Sequence, residues 1–181
     1  LSLLDVARGT GDIANLFLNS GGASATILDL NKEMLENGKK KYPNSKAKWV
    51  HGNAEKLPFK DCTFDLYTIS FGIRNVTNID KALNEAFRVL KPGGKFVCLE
   101  FSNVSNDFIK KFYDFYSFKV IPFIGKKVAD SKESYDYLVE SIRNFPSALH
   151  FQQMIENAGF VEVEFRKFSF GVVAMHVGYK I

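Results

Sequence analysis

The sequence predicts an α/β fold: a doubly wound, mostly parallel, seven-stranded sheet with helices on both faces and an antiparallel strand near the C-terminus. Three observations carry this. Short apolar runs of strand character alternate with segments of helical spacing through the first hundred residues. A glycine turn, Gly9-Thr10-Gly11, follows the first apolar run directly and opens a helix. The chain closes with two alternating runs, 161–168 and 172–179, joined by Ser169-Phe170-Gly171 in the pattern of an antiparallel pair.

Each element has a local reason. Strands are predicted over 2–7, 25–30, 48–51, 64–70 and 95–101, and helices over 12–19, 32–41 and 78–90. The last helix is the clearest: Ile79, Ala82, Leu83, Ala86, Phe87 and Leu90 recur at helical spacing, with Lys81, Asn84, Glu85 and Arg88 between them. Between that helix and the next strand, Leu90-Lys91-Pro92-Gly93-Gly94 reads as a tight turn. After Asp107 a very apolar helix is expected, in which Phe108 to Phe118 leave only Lys110, Lys111, Asp114 and Ser117 for a polar stripe. That helix is either packed between the sheet and a covering segment or lines a groove for an apolar substrate. Two further helices are expected at 134–142 and 147–157, the second stopped by Ala158-Gly159.

At 181 residues the chain has the size of one domain, taken as 1–181, and can bury a sizeable core. It starts inside a strand and without Met, so a preceding segment is expected. The net charge of +4 is modest and no nucleic-acid module is visible. Lysine runs (Lys39-Lys40-Lys41, Lys110-Lys111, Lys126-Lys127) suit either a solvated helix face or an anionic membrane surface. Cys62 and Cys98 lack metal-ligand spacing, the histidines do not cluster, and no metal is expected. No apolar run approaches the roughly 18 to 20 residues that span a bilayer.

The glycine turn implies a nucleotide-like ligand, because glycines let backbone N–H groups approach closely. Gly9-Thr10-Gly11-Asp12-Ile13-Ala14 with Asp29 also satisfies the Rossmann dinucleotide fingerprint, so the turn alone does not choose the ligand. Asp5, a carboxylate where dinucleotide-binding strands are normally apolar, can accept hydrogen bonds from the turn or attract a cation such as a sulfonium. Asn53, in Gly52-Asn53-Ala54-Glu55, can read an adenine edge through paired donor and acceptor. Ala7, just ahead of the glycine turn, carries a Cβ. There φ < 0 is expected, leaving the tight turn to Gly9 and Gly11. Arg8 must point away from a cationic cofactor or pair with a carboxylate.

Asp5, Gly9, Gly11, Asp29, Asn53 and the Lys91-Pro92-Gly93-Gly94 turn together resemble the motif set of class I S-adenosylmethionine (SAM) methyltransferases, a Rossmann-like fold. Ser70-Phe71-Gly72-Ile73-Arg74-Asn75-Val76-Thr77, the Tyr113 to Phe118 run, Tyr137-Leu138-Val139-Glu140-Ser141-Ile142, Phe145-Pro146 and the closing Gly171 to Lys180 stretch narrow this further. Over essentially its whole length the chain resembles the ubiquinone/menaquinone biosynthesis C-methyltransferase family. The resemblance implies SAM-dependent methylation of a ring carbon of a polyprenyl hydroquinone. It also implies a helical segment before the first strand that helps to cover the cofactor.

Carried over residue by residue, the resemblance places SAM contacts at Thr10, Asp29, Asn53 with Ala54, and Ser70, beside Asp5, Gly9 and Gly11. Asp29, at the carboxyl end of a parallel strand, can accept both ribose hydroxyls; the alternative is an acid serving the following helix N-terminus. Thr10 and the glycine N–H groups suit the methionine carboxylate, and Ser70 is either a contact or a satisfied strand-end hydroxyl. Ring-carbon methylation needs a phenolate stabiliser. Arg74, with Asn75 beside it, is the candidate, since arginine is too weak a base to take the proton itself. The alternative is a structural ion pair. Glu100, Tyr113 and Tyr116 are weaker candidates for hydroxyl contacts, and Phe112, Tyr113, Tyr116 and Phe118 are the expected substrate-lining aromatics.

The expected partners are a prenylated hydroquinone and a membrane surface, with a homodimer or a quinone-synthesis complex compatible with the family. The matching location is the cytoplasm beside the bacterial inner membrane, or the mitochondrial matrix side. Competing readings are a methyltransferase of another small aromatic acceptor, a silent SAM-binding scaffold, and an NAD-dependent oxidoreductase. Asp5 and the lack of a hydride-transfer constellation argue against the oxidoreductase.

Overall fold

In the computed structural model, residues 1–7, 9–102 and 132–181 are described. Arg8, the aromatic helix expected after Asp107, and Phe112, Tyr113, Tyr116 and Phe118 lie outside the described residues.

Seven strands form one sheet: β1 (Ser2–Val6), β2 (Ser24–Asp29), β3 (Lys48–His51), β4 (Phe64–Ser70), β5 (Leu90–Phe101), β6 (Val161–Phe168) and β7 (Val173–Tyr179). Their order is β3-β2-β1-β4-β5-β7-β6. β1 to β5 pair in parallel, while β7 inserts antiparallel between β5 and β6. The order reverses at β1, so the topological switch point, where open α/β sheets bind ligands, lies between β1 and β4.

Five helices are described: α1 (Asp12–Asn19), α2 (Lys32–Lys41), α3 (Ile79–Val89), α4 (Lys132–Asn144) and α5 (Ala148–Asn157). Their starts follow local chemistry. The side chains of Asn31, Asn78 and Ser147 accept the N–H groups of Met34, Lys81 and His150 and so cap α2, α3 and α5. The far end of α3 is held by Lys180, whose ammonium donates to the carbonyls of Phe87 and Leu90 at 2.8 Å each.

The strand pleat splits the core between two faces. Leu3, Ala25 and Ile27 pack with Ala14 and Leu35 of α1 and α2. Leu4, Val6, Tyr67, Ile69 and Phe96 pack with Leu83 of α3 and with Phe151 and Ile155 of α5. Burying such side chains is worth roughly 1.5–3 kcal/mol each, which fixes the register of every strand.

Two local expectations change. Lys91-Pro92-Gly93-Gly94 does not separate helix from strand but lies inside β5 as a bulge: Phe64 pairs with Leu90, and Leu66 already pairs with Lys95. Ala7 has φ 54°, not the negative value expected. Its N–H continues the ladder by donating to the Leu28 carbonyl at 2.8 Å. Among the described residues of this turn, the left-handed positions are Ala7 and Gly11 (φ 71°), and Gly9 is needed for a different reason.

Candidate active site

A cavity of about 230 Å³ opens at the carboxyl ends of β1 to β4. Its walls come from four consecutive strand ends: Val6 and Ala7, then Leu28 to Leu30, then Gly52 to Glu55, then Phe71 and Gly72. Asn75, Val76 and Thr77 complete it from a 3₁₀ turn (Ile73–Asn75) after β4 and the two residues that follow. Parallel strands deliver polar residues to one rim because every strand ends on the same side.

Asp29 is the best-defined group in this cavity. One carboxylate oxygen accepts the N–H of Gly9 at 2.8 Å and the other accepts the N–H of Asn31 at 2.8 Å. These bonds fix the carboxylate plane and leave each oxygen further acceptor capacity. Gly9 permits the contact: a Cβ there would lie 2.5 Å from Cβ of Met34 and 3.2 Å from Asp29 Oδ2. The turn is anchored further by Asp12. It accepts from the Thr10 hydroxyl at 2.8 Å, from Lys41 at 2.5 Å and from Tyr42 at 2.6 Å. Burial pushes the Asp12 pKa up, but these donors outweigh it and bring the value down to about 2. The Thr10 hydroxyl is thus engaged within the protein.

The other predicted contacts divide. Asn53 and Ala54 line the cavity, and Asn53 Oδ1 accepts the N–H of Glu55 at 2.9 Å, so its amide is already oriented. Gly9, Thr10 and Gly11 are not among its lining residues, and neither are Asp5 and Ser70. Both are buried on the sheet face that carries Thr68, whose hydroxyl donates to Asp5 at 2.7 Å. Phe71 and Gly72, next to Ser70, supply the wall instead.

Arg74 has a partner that sequence spacing did not reveal. Its Nη1 donates to Glu100 at 2.8 Å and to the Phe71 carbonyl at 2.6 Å, and its guanidinium lies 5.1 Å from the Phe101 ring centre. The side chains are 11% and 1% exposed, so this is a buried ion pair. Burial pushes the Glu100 pKa up, and Arg74 opposes that shift. Arg74 Nε is buried without a hydrogen-bond partner among the described residues. Asn75, next in sequence, does line the cavity, and its Oδ1 accepts from the Tyr137 hydroxyl of α4 at 3.1 Å. Tyr137 was visible in the sequence as a motif residue, but its contact with Asn75 spans 62 residues and had no local signal.

Comparison with known proteins decides the family. The family model of the ubiE/COQ5 methyltransferase family matches residues 1–180. The chain belongs to the ubiE/COQ5 methyltransferase family. It is 54% identical to the ubiquinone/menaquinone biosynthesis C-methyltransferase UbiE of Ruegeria sp. (strain TM1040), covering 99% of this chain and 74% of that protein. It is 48% identical to the human mitochondrial 2-methoxy-6-polyprenyl-1,4-benzoquinol methylase, covering 99% of this chain and 67% of the relative.

Solved structures share the fold at low identity. A SAM-dependent methyltransferase from Aquifex aeolicus superposes with a TM-score of 0.70 at 16% identity, covering 100% of this chain and 82% of that one. The [4+2]-cyclase SpnF superposes at 0.74 with 16% identity, covering 99% and 74%. Fold likeness to a cyclase shows that the scaffold alone does not fix the reaction, whereas membership of the family makes this chain a SAM-dependent methyltransferase.

Proposed function

We propose that the enzyme transfers a methyl group from SAM to a ring carbon of a polyprenyl hydroquinone, on the route to ubiquinone, menaquinone or both, at a membrane surface. The observation that carries this reading is Asp29, which lines the cavity and accepts the N–H of Gly9, in a chain whose match to the family runs from residue 1 to 180. The residues fit SAM. Asp29 holds the ribose hydroxyls, Asn53 and Ala54 meet the adenine, and the Gly9 to Gly11 backbone receives the methionine carboxylate. When bound, SAM supplies an electrophilic methyl group.

The chain's own task is to position the ring and stabilise its charge. A ring carbon made nucleophilic by an adjacent phenolate would receive the methyl group of bound SAM, and the chain's residues would hold that ring, stabilise its oxygen and let the methylated carbon lose its proton. Arg74 supplies positive charge beside Asn75. Its Nε, without a hydrogen-bond partner among the described residues, is a donor that a phenolate oxygen, or a water relaying the proton, would satisfy. Glu100 holds the guanidinium in place, and the Phe71 carbonyl ties it to the turn that presents Asn75. The guanidinium offers donors and no acceptor, so the proton leaves by way of water.

The test exploits the oxidation state of the acceptor. Methylation of the reduced, prenylated ring with little or none of the oxidised quinone is expected, because the quinone lacks the electron-donating hydroxyls. Equal turnover of both forms would overturn the phenolate mechanism.

A further inference from the structure

The loop joining β6 to β7 presents an aromatic and cationic tip on the same rim as the cavity. Phe101, the last residue of β5, pairs with Val173 of β7, which pairs with Phe168 of β6. The Ser102 N–H donates to the Val172 carbonyl at 2.8 Å. The loop beyond therefore projects from the carboxyl end of β5, the end on which β1 to β4 open into the cavity.

Three features set this tip apart. Phe170 is 90% exposed, the most exposed large apolar side chain among the described residues. Ser169, Phe170 and Gly171 all have positive φ, at 50°, 58° and 89°, a conformation that costs a bulky residue energy and here holds Phe170 outward. Behind it stand Phe168, Lys167 and Arg166, with the Arg166 guanidinium 5.6 Å from the Phe168 ring centre. Charge is graded along β6: Glu162 and Glu164 lie away from the tip, Arg166 and Lys167 beside it, and no acidic residue follows Glu164 in the chain. Leu30, after β2, and Tyr137, bonded to cavity residue Asn75, are also exposed at this end of the sheet.

We propose that the β6–β7 tip docks on an anionic lipid surface, with Phe170 and Phe168 entering the acyl boundary and Arg166 and Lys167 meeting the headgroups. This combination of an amphipathic aromatic element and basic flanks is what interfacial binding requires. A second copy of the chain fits less well, since a twofold contact through this tip would set Arg166 and Lys167 against their own equivalents. Docking by the tip turns the cavity rim toward the bilayer. It rests on the reading of a polyprenyl acceptor, because such a ring is delivered from the membrane.

The experiment is co-sedimentation of the full-length chain with phosphatidylcholine vesicles, with and without phosphatidylglycerol. Wild type binds the anionic vesicles, Phe170→Ser lowers that affinity about tenfold or more, and Arg166→Gln with Lys167→Gln weakens it mainly at low salt. Sedimentation velocity on the same variants shows an unchanged oligomeric state, and a tail-less hydroquinone is turned over as by wild type. Undiminished vesicle binding by Phe170→Ser overturns the proposal, as does a dimer that dissociates in that variant without vesicles. Vesicle binding is read without substrate, so failure to methylate a prenylated ring counts against the proposed acceptor and not against the tip.

Discussion

The backbone N–H of Gly9 donates to Oδ2 of Asp29 at 2.8 Å, which makes the turn after β1 and the carboxylate ending β2 one mechanical unit. Asp29→Ala loses both the ribose acceptor and the anchor of the turn. SAM affinity is expected to fall by about 2–4 kcal/mol, the value of two charge-assisted hydrogen bonds. Asp29→Asn keeps an acceptor for Gly9 and so recovers stability more than affinity. Calorimetric titration with SAM checks this, and undiminished binding by Asp29→Ala would remove the ribose assignment.

Arg74 and Glu100 form a buried pair, so each variant has a stability effect as well as a catalytic one. Arg74→Ala strands a buried carboxylate and is expected to destabilise the fold by about 3–5 kcal/mol. The double variant Arg74→Ala, Glu100→Gln recovers much of that in denaturant titrations. Its turnover stays at least about a hundredfold down, because the positive charge beside the acceptor is gone. Arg74→Lys recovers little, since one ammonium does not reproduce the guanidinium fork that serves Glu100 and Phe71. Turnover restored along with stability in the double variant would make the arginine purely structural.

These pairings mark the boundary of what the chain shows by itself. The limits of α1, α2, β3, β4 and β6 were legible because local chemistry sets them: an apolar run of one period, a capping Asn, a glycine stop. The cavity residues Asp29, Asn53 and Ala54 were legible because strand ends of a parallel sheet share a rim. Ala7 takes φ 54° where the strand ladder ends, its N–H still bonded to Leu28, and no local preference of alanine signals that conformation. The partners Glu100 for Arg74 and Tyr137 for Asn75 were hidden because nothing local links residues 26 and 62 positions apart. Asp5 and Ser70 stand on the sheet face that carries Thr68 and, like Gly9, Thr10 and Gly11, are not among the residues lining the cavity, a placement that follows from the pleat and the turn and not from residue type.

His176 is buried in the core, with Nε2 2.9 Å from the Ala148 carbonyl. Burial lowers its pKa from 6.5, with the carbonyl opposing. A folded pKa below the unfolded one means the unfolded chain binds the extra proton first. The associated stability is therefore intact above pH 6.5 and is lost as pH falls from there through the folded value. Urea midpoints measured across that window should drop with acid in the wild type and drop less in His176→Gln. Equal slopes would contradict the assignment.

Tyr137 holds the Asn75 amide through its hydroxyl. Tyr137→Phe removes that single bond and keeps the ring. SAM affinity is expected to stay as in wild type, while turnover of the hydroquinone falls by about fivefold, the scale of one hydrogen bond near 1 kcal/mol. A parallel loss of SAM affinity would show that Tyr137 serves the cofactor side.

The central claim is methylation at carbon on a prenylated ring, and isotopic labelling tests it most directly. The enzyme is incubated with methyl-labelled SAM and membrane lipid extract under reducing conditions, and the labelled product is fragmented by mass spectrometry. The account predicts label on a ring carbon of a polyprenyl hydroquinone, reduced with Asp29→Ala at limiting SAM. Label on an oxygen, or on a water-soluble acceptor, would contradict it.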